Sequence, residues 1–217
     1  LPVGSNGKAT LLISGGIDSP VAGWMVAKRG VRIEAVHFYS YPYTSERAKD
    51  KVIRLARILS GYTQGIRLHI VPFTEIQMEI NQKCPQDYLT IIMRRFIMRI
   101  AERIAKNNGS LGLVTGEAIG QVASQTLESL LVTNSAVEMP VYRPCIGMDK
   151  SEVIDISRRI DTFETSILPY EDCCTVFVAK HPVTKPQLEK TLAYEEALDG
   201  EALIQKALDG TEVLEIE

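Results

Sequence analysis

Six consecutive residues near the N-terminus, Ser14-Gly15-Gly16-Ile17-Asp18-Ser19, bring two hydroxyls, two glycines and a carboxylate into a span that can close around one phosphate group. The apolar run 9–13 precedes them, and Pro20 sets the first turn of a helix predicted over 21–29. Strand, tight loop and helix N-terminus make a phosphate site in α/β proteins, because backbone N–H groups point outward there and the helix dipole adds to them. Glycines permit positive φ and let the backbone approach a ligand closely. Successive N–H groups in such a loop form an anion nest, and Asp18 can hold a magnesium ion on the phosphates. The loop is not a Walker A motif, because no Lys follows the second Gly, and it is not the dinucleotide fingerprint G-x-G-x-x-G. An ordinary βα turn also uses Gly and Ser, but six matching positions between strand and helix favour phosphate.

Ligands of open α/β sheets gather at the C-terminal ends of the strands, so what each predicted strand delivers there defines the candidate site. The second strand delivers His37-Phe38, which can pack against a base or hydrogen-bond it, although an aromatic at a strand end also serves a core. The fourth delivers Thr115-Gly116-Glu117-Ala118, followed by Gln121, Ser124, Gln125 and Thr126, with Gly116 expected to let a nucleotide approach the backbone. Another βα turn would read the same way. The fifth delivers Arg143-Pro144-Cys145 and then Asp149-Lys150. A lysine at a helix start opposes the dipole, which makes sense if it faces an anion such as a phosphate. Arg94, Arg95, Arg99 and Arg103 crowd one helix, the last three as a stripe at four-residue spacing. They suit nucleotide or RNA phosphates, or equally a solvated face paired with Glu102 and other acids.

The elements that must position these groups follow from hydrophobic periodicity. Strands are predicted over 9–13, 32–40, 66–73, 111–115 and 141–146. Helices are predicted over 21–29, from a cap at Thr44 or Ser45 to Gly61, from Thr74 to Lys83, and over 87–106, 125–131 and 149–160. This alternation argues for an α/β fold, a mostly parallel sheet with helices on both faces. Residues 161–186 read as a loop with three prolines, followed by a charged helical tail over 187–208 that is interrupted at Asp199-Gly200. Long irregular segments in compact domains are usually functional or disordered. This one carries Cys173 and Cys174. The neighbouring acids Glu171 and Asp172 raise a thiol pKa, so the case for these thiols is their position just beyond the presumed catalytic face, with packed cysteines the alternative. Cys84 and Cys145 sit in apolar pattern and read as packed.

With 217 residues, 45% of them hydrophobic, the chain can bury a sizeable core. The net charge of −3 confines any RNA contact to a local basic patch or a further domain. No apolar run reaches the roughly 18 residues of a membrane span. Four cysteines without C-x-x-C spacing and three histidines support intracellular thiols over a zinc site. Leu1 stands where a Met would start a chain, so residues 1–8 read as a linker and the sequence as a piece of a longer protein.

The loop resembles the PP-loop of the ATP pyrophosphatases, which split ATP into AMP and pyrophosphate while adenylating a substrate. The block Thr115-Gly116-Glu117-Ala118-Ile119-Gly120-Gln121-Val122-Ala123-Ser124-Gln125-Thr126, with Arg143-Pro144 before Asp149-Lys150, narrows this. From about Lys8 onward the chain is similar to the catalytic domain of the tRNA 4-thiouridine synthetase (ThiI) family. The resemblance implies an adenine nucleotide alpha hydrolase-like fold with ATP and Mg2+. It also implies adenylation of the uridine at position eight of tRNA on its 4-oxygen, then displacement of AMP by sulfur. It places the pyrophosphate on residues 14–19 and lines the ATP site with Leu12, Ile13, Ser14, Gly15, Gly16, Asp18, Ser19, His37, Phe38, Arg94, Gly116 and Gln125. Asp18 and Lys150 fall on positions required for activity. The catalytic cysteine falls on Cys173 when counted forward from Lys150 and on Cys174 when counted back from Pro182, so both stay candidates.

The implied partners are tRNA, a cysteine desulfurase donating a persulfide, a thiamin-pathway sulfur carrier protein and a second copy of the chain, in the cytoplasm. The family's ferredoxin-like and THUMP domains, which bind tRNA, and the rhodanese domain of some members have no counterpart in these residues. Two other readings stand beside this one. A PP-loop amidotransferase or ligase of NAD- or GMP-synthetase type would need no cysteine, and a non-catalytic nucleotide-binding module would release no pyrophosphate.

Overall fold

The computed structural model describes residues 1–170, 176, 177, 179 and 181–217. Five strands run parallel: β1 (Lys8–Leu12), β2 (Arg32–Tyr39), β3 (Ile66–Pro72), β4 (Leu113–Val114) and β5 (Val141–Tyr142). A sixth, β6 (Glu212–Ile216), pairs antiparallel with β3, Ile66 opposite Ile216 and Ile70 opposite Glu212. The sheet order is β5-β4-β1-β2-β3-β6. The helices are α1 (Asp18–Ala27), α2 (Glu46–Thr63), α3 (Thr74–Lys83), α4 (Leu89–Asn107), α5 (Leu127–Asn134), α6 (Lys150–Arg159), α7 (Phe163–Ser166), α8 (Leu188–Glu195) and α9 (Gly200–Asp209).

Strand residues alternate between two cores, as a sheet covered on both faces requires. Leu11, Ile13, Ile33, Ala35, Leu68 and Ile70 pack against α1, α2 and α6 on one face. Val36, Phe38 and Val71 pack against α3, α4 and α9 on the other. α1 sits close on β1 because its facing residues are small. A Cβ at Gly23 would lie 2.6 Å from Leu11 Cδ2. β1 has β2 on one side and β4 on the other, so the chain reverses its direction of winding there. That reversal opens a crevice above β1, the usual ligand position in such sheets.

Several sequence expectations change. Lys8 opens β1 instead of closing a linker, and Asn6 N–H already bonds Gly30 O at 3.0 Å. β4 and β5 are two residues each, shorter than the runs 111–115 and 141–146, and α5 spans Leu127–Asn134 instead of 125–131. The loop 161–186 contains α7. β6 was not anticipated. Its pattern of three acids or exposed positions around Leu214 and Ile216 is that of an edge strand, held by Lys49–Glu212 and Arg67–Glu215 ion pairs at 2.6 Å.

The arginine stripe on α4 is paired with acids of α8 and α9, buried at Arg95 and partly exposed at Arg103. Arg95 is buried, with Nε donating to Glu195 at 2.7 Å and Nη1 to Val132 O at 2.6 Å and Ser135 Oγ at 2.8 Å. Arg99 also pairs with Glu195, and Arg103 with Glu201. The stripe therefore fastens α8 and α9 onto α4. Glu102, expected among its partners, instead accepts the N–H groups of Glu138 and Met139, both at 2.8 Å, and pairs with Lys106.

Candidate functional site

The C-terminal end of β1 runs into the loop 13–17 and then α1. Ser19 Oγ closes this loop, accepting from Ser14 N–H at 2.9 Å and donating back to Ser14 O at 3.2 Å, while Gly16 N–H reaches Ser14 Oγ at 3.3 Å. The helix cap position is Ile17, whose side chain offers no acceptor, so among the described residues no side chain makes a capping hydrogen bond to α1, and Asp18 stands in its first turn. Gly16 is outside the left-handed region, and a Cβ there would meet only Ser14 Oγ at 3.5 Å. Positive φ is thus not the reason for this glycine; among the described residues only Ser14 Oγ comes within 4 Å of the added carbon.

Above the loop lies a cleft of about 210 Å3. Leu12, Ile13, Ser14, Asp18, Ser19, His37, Phe38, Arg94, Gly116 and Gln125, each expected at a nucleotide site, all line it. Gly15 and Gly16 belong to the same loop but are not among the lining residues. Thr115 and Glu117, delivered by the end of the fourth strand as expected, line it too, as do Val36, Ile97 and Met98, which the sequence reading does not single out. Ile97 and Met98 follow Arg94 by three and four residues, so helical spacing from Arg94 would have found them. The lining combines the loop hydroxyls and the Asp18 carboxylate with Arg94, Glu117 and Gln125 and with the apolar side chains of Leu12, Val36, Phe38, Ile97 and Met98. His37 is fixed by a 3.2 Å contact from Nδ1 to Ile13 O.

Asp18 and Lys150 meet directly. Lys150 Nζ donates to Asp18 Oδ1 at 2.7 Å and Oδ2 at 2.9 Å, and Gln121 Nε2 adds a 3.3 Å contact. The anion that Lys150 faces is thus a carboxylate of α1. Its place at the start of α6 is offset by Glu152, whose carboxylate accepts Asp149 N–H at 2.8 Å.

Gly116 lines the cleft and also has a packing reason beside the one expected. A Cβ there would lie 2.6 Å from both Asp18 C and Ser19 N, so the glycine lets the β4 turn sit against the first turn of α1. Beside it, Glu117 is buried and accepts from Arg94 Nη2 at Oε1, and from Arg143 Nε at 2.7 Å and Thr115 Oγ1 at 2.8 Å at Oε2. Desolvation lowers the pKa of Arg143 from its ordinary value. Cys145 is packed, as expected, under the loop with Sγ 3.9 Å from Asp18 O; burial and the nearby Asp18 charge push its thiol up to about 11. Burial and Glu195 do the same to Cys84, also to about 11. Neither thiol is a ready nucleophile at neutral pH.

Cys173 and Cys174 lie outside the described residues. The described residues on either side are anchored next to the cleft. Ser166 Oγ donates to Gly16 O at 3.3 Å and Lys51 Nζ to Leu168 O at 2.9 Å. After it, Val183 N–H bonds Asp87 O at 3.0 Å and Thr184 O accepts from Thr126, the neighbour of Gln125, at 2.6 Å. No group of three or more His, Cys, Asp or Glu among the described residues is placed to hold a metal. No helix among them is long and apolar enough to cross a membrane.

Comparison with known proteins accords with this geometry. A family model described as thiamine biosynthesis protein (ThiI) matches residues 4–199. A probable tRNA sulfurtransferase of Acetivibrio thermocellus is 71% identical over all of this chain, which covers 55% of that protein. The crystal structure of a 4-thiouridine synthetase–RNA complex with bound ATP superposes with a TM-score of 0.96 at 46% identity, covering 100% of this chain and 57% of that one. An NMN synthetase from Francisella tularensis shares the fold alone, with a TM-score of 0.57 at 13% identity over 94% of this chain and 83% of that one. The chain spans about half the length of the curated relatives it matches. With its loop, cleft and most of its length in register, the chain belongs to the ThiI family.

Proposed function

We propose that this chain is the ATP-dependent catalytic domain of a tRNA sulfurtransferase that makes 4-thiouridine. The observation that carries the reading is one cleft lined by the loop and first turn of α1, by Arg94 and by the apolar side chains of Leu12, Phe38 and Ile97, in a chain of this family. The phosphates of ATP lie on residues 14–19 and the base between Leu12, Phe38 and Ile97. The 4-oxygen of uridine eight attacks the α-phosphorus, pyrophosphate leaves with the bonding pair, and the uridine N3 proton is released. A persulfide sulfur from a cysteine desulfurase then attacks C4, and the C–O bond breaks to release AMP. A second thiol, losing its proton, attacks the donor's own sulfur and forms a disulfide with it as the S–S bond breaks, leaving the transferred sulfur with the electron pair on C4. Cys173 or Cys174 serves in this transfer, supported by the anchoring of their flanks at Gly16 and Thr126.

A single carboxylate fits magnesium, which keeps its waters and takes most ligands from phosphates. Asp18 would hold it, exchanging its contact with Lys150 and freeing that ammonium for a phosphate. The ion would neutralise charge on the polyphosphate. Capture of tRNA rests on ferredoxin-like and THUMP domains of the longer protein, with the reaction in the cytoplasm and the active form a homodimer. The family description favours a second outlet for the sulfur, a thiamin-pathway carrier protein.

The test is pyrophosphate release and 4-thiouridine formation by the full-length protein with tRNA, ATP and a persulfide donor. Asp18→Ala abolishes both, whereas normal 4-thiouridine formation by that variant sinks the assignment. Loss of thiolation with pyrophosphate release retained in a C173S/C174S double variant supports the sulfur step. Undiminished product there favours a cysteine-independent ligase, and no pyrophosphate from the parent protein favours a non-catalytic module.

A further inference from the structure

We propose that Glu117 is a positioning residue that fixes the Arg94 guanidinium in the nucleotide cleft. The assignment rests on the reading of that cleft as the ATP site. Glu117 follows the glycine that brings the β4 turn against α1, so its backbone is held by the same close approach that shapes the phosphate loop. Its carboxylate is 3% exposed, and a charge so placed requires partners. It has three. Arg94, from α4, takes Oε1; Arg143, from the end of β5, and Thr115, from the end of β4, share Oε2. Arg143 is held in turn by Asn134 Oδ1 at 3.1 Å.

Both carboxylate oxygens are therefore engaged, which suits an anchor and not a proton carrier. Arg94 has a long side chain with large rotamer freedom, and its planar fork has value only when its plane is set. Thr115 and Arg143 set the Glu117 carboxylate, and that carboxylate sets the guanidinium. The alternative role is purely electrostatic. Two guanidiniums and one carboxylate leave a net positive charge beside the cleft, and a carboxylate there weakens the attraction for a polyanion. The two roles predict opposite signs. Glu117→Gln keeps the shape and removes the negative charge. If Glu117 only reduces local positive charge, the variant binds ATP more tightly. If it positions Arg94, binding weakens.

The experiment is calorimetric titration of ATP, with inorganic pyrophosphate as a second probe, into the parent chain, E117Q, R94A and the E117Q/R94A double variant. Thermal unfolding of each is measured without ligand. The expected result is a roughly 10- to 100-fold loss of ATP affinity in E117Q, the scale of one charged hydrogen bond. R94A should show a similar loss, and the double variant should bind no more weakly than R94A alone. A further equal loss in the R94A background overturns the proposal, since Glu117 then acts independently of Arg94; unchanged or tighter binding by E117Q also overturns it. If E117Q does not fold, E117D keeps the charge but withdraws the carboxylate by one methylene. It should weaken ATP binding in the parent and add nothing in R94A, and equal losses in both backgrounds again refute positioning. Failure of the folded parent chain to bind ATP refutes the nucleotide reading itself, separately from any comparison among variants.

Discussion

Substituting alanine at two glycines of the site should produce opposite consequences. At Gly116 an added methyl would lie 2.6 Å from the backbone at Asp18 and Ser19, whereas ordinary contact begins near 3.4 Å. Those atoms belong to the first turn of a helix and cannot rotate away, so the β4 turn and α1 must separate by roughly 1 Å. Overpacking of this kind costs about 1–3 kcal/mol. For a domain of this size that lowers Tm by about 2–12 °C. A displacement near 1 Å in a site can also cost about 100-fold in function. At Gly16 the methyl meets only Ser14 Oγ at 3.5 Å and the backbone is outside the left-handed region. Alanine there should leave stability equal or raise it by about 0.4–1 kcal/mol, through the unfolded chain. It should nonetheless abolish ATP binding, by filling the space a phosphate needs. Thermal unfolding without ligand, paired with ATP titration, reads both effects. A G116A chain as stable as the parent, or a G16A chain that binds ATP normally, would refute the close-approach argument at that position.

Three further outcomes follow from charges away from the cleft. Glu195→Ala strands the buried Arg95 guanidinium and should cost about 3–5 kcal/mol, read as a lower urea midpoint with earlier proteolysis near α8. Glu201→Ala, at an exposed pair with Arg103, should leave the midpoint unchanged. Burial alone would raise the Glu34 pKa, but the 2.6 Å contact from His69 and the Lys8 charge lower it overall. A lowered carboxylate pKa stabilises the fold fully above the ordinary value of 4.5, and that contribution is lost as pH falls through the folded value. The stability gap between the parent and Glu34→Gln should therefore hold from pH 5 to 7 and close below about pH 4.5; a gap independent of pH down to 3 refutes the role of the charge.

Local sequence determined the features whose geometry is local. The apolar run, the loop 14–19 and Pro20 specify strand, phosphate cradle and helix within a dozen residues, because φ preferences and hydrophobic periodicity act over that range. The parallel sheet followed from strands alternating with helices; Ser14, Asp18, Ser19, His37, Phe38, Gly116 and Gln125 followed from asking what each strand end delivers, and the family resemblance added Leu12, Ile13 and Arg94. Only the tertiary structure decided the partners of the charges. Lys150 and Asp18 are 132 residues apart, and Arg95 and Glu195 are 100 apart. A stripe of arginines looks the same in sequence whether it faces phosphate, solvent or another helix; the docking of α8 and α9 settles which. That Gly116 must also admit α1 shows only when α1 is seen against it, and residues 212–216, given no element by the sequence pattern, become a strand because β3 offers them an edge. Pattern specifies the conformation of a segment, but which side chain completes an ion pair, and which backbone a glycine must admit, depends on where distant elements pack.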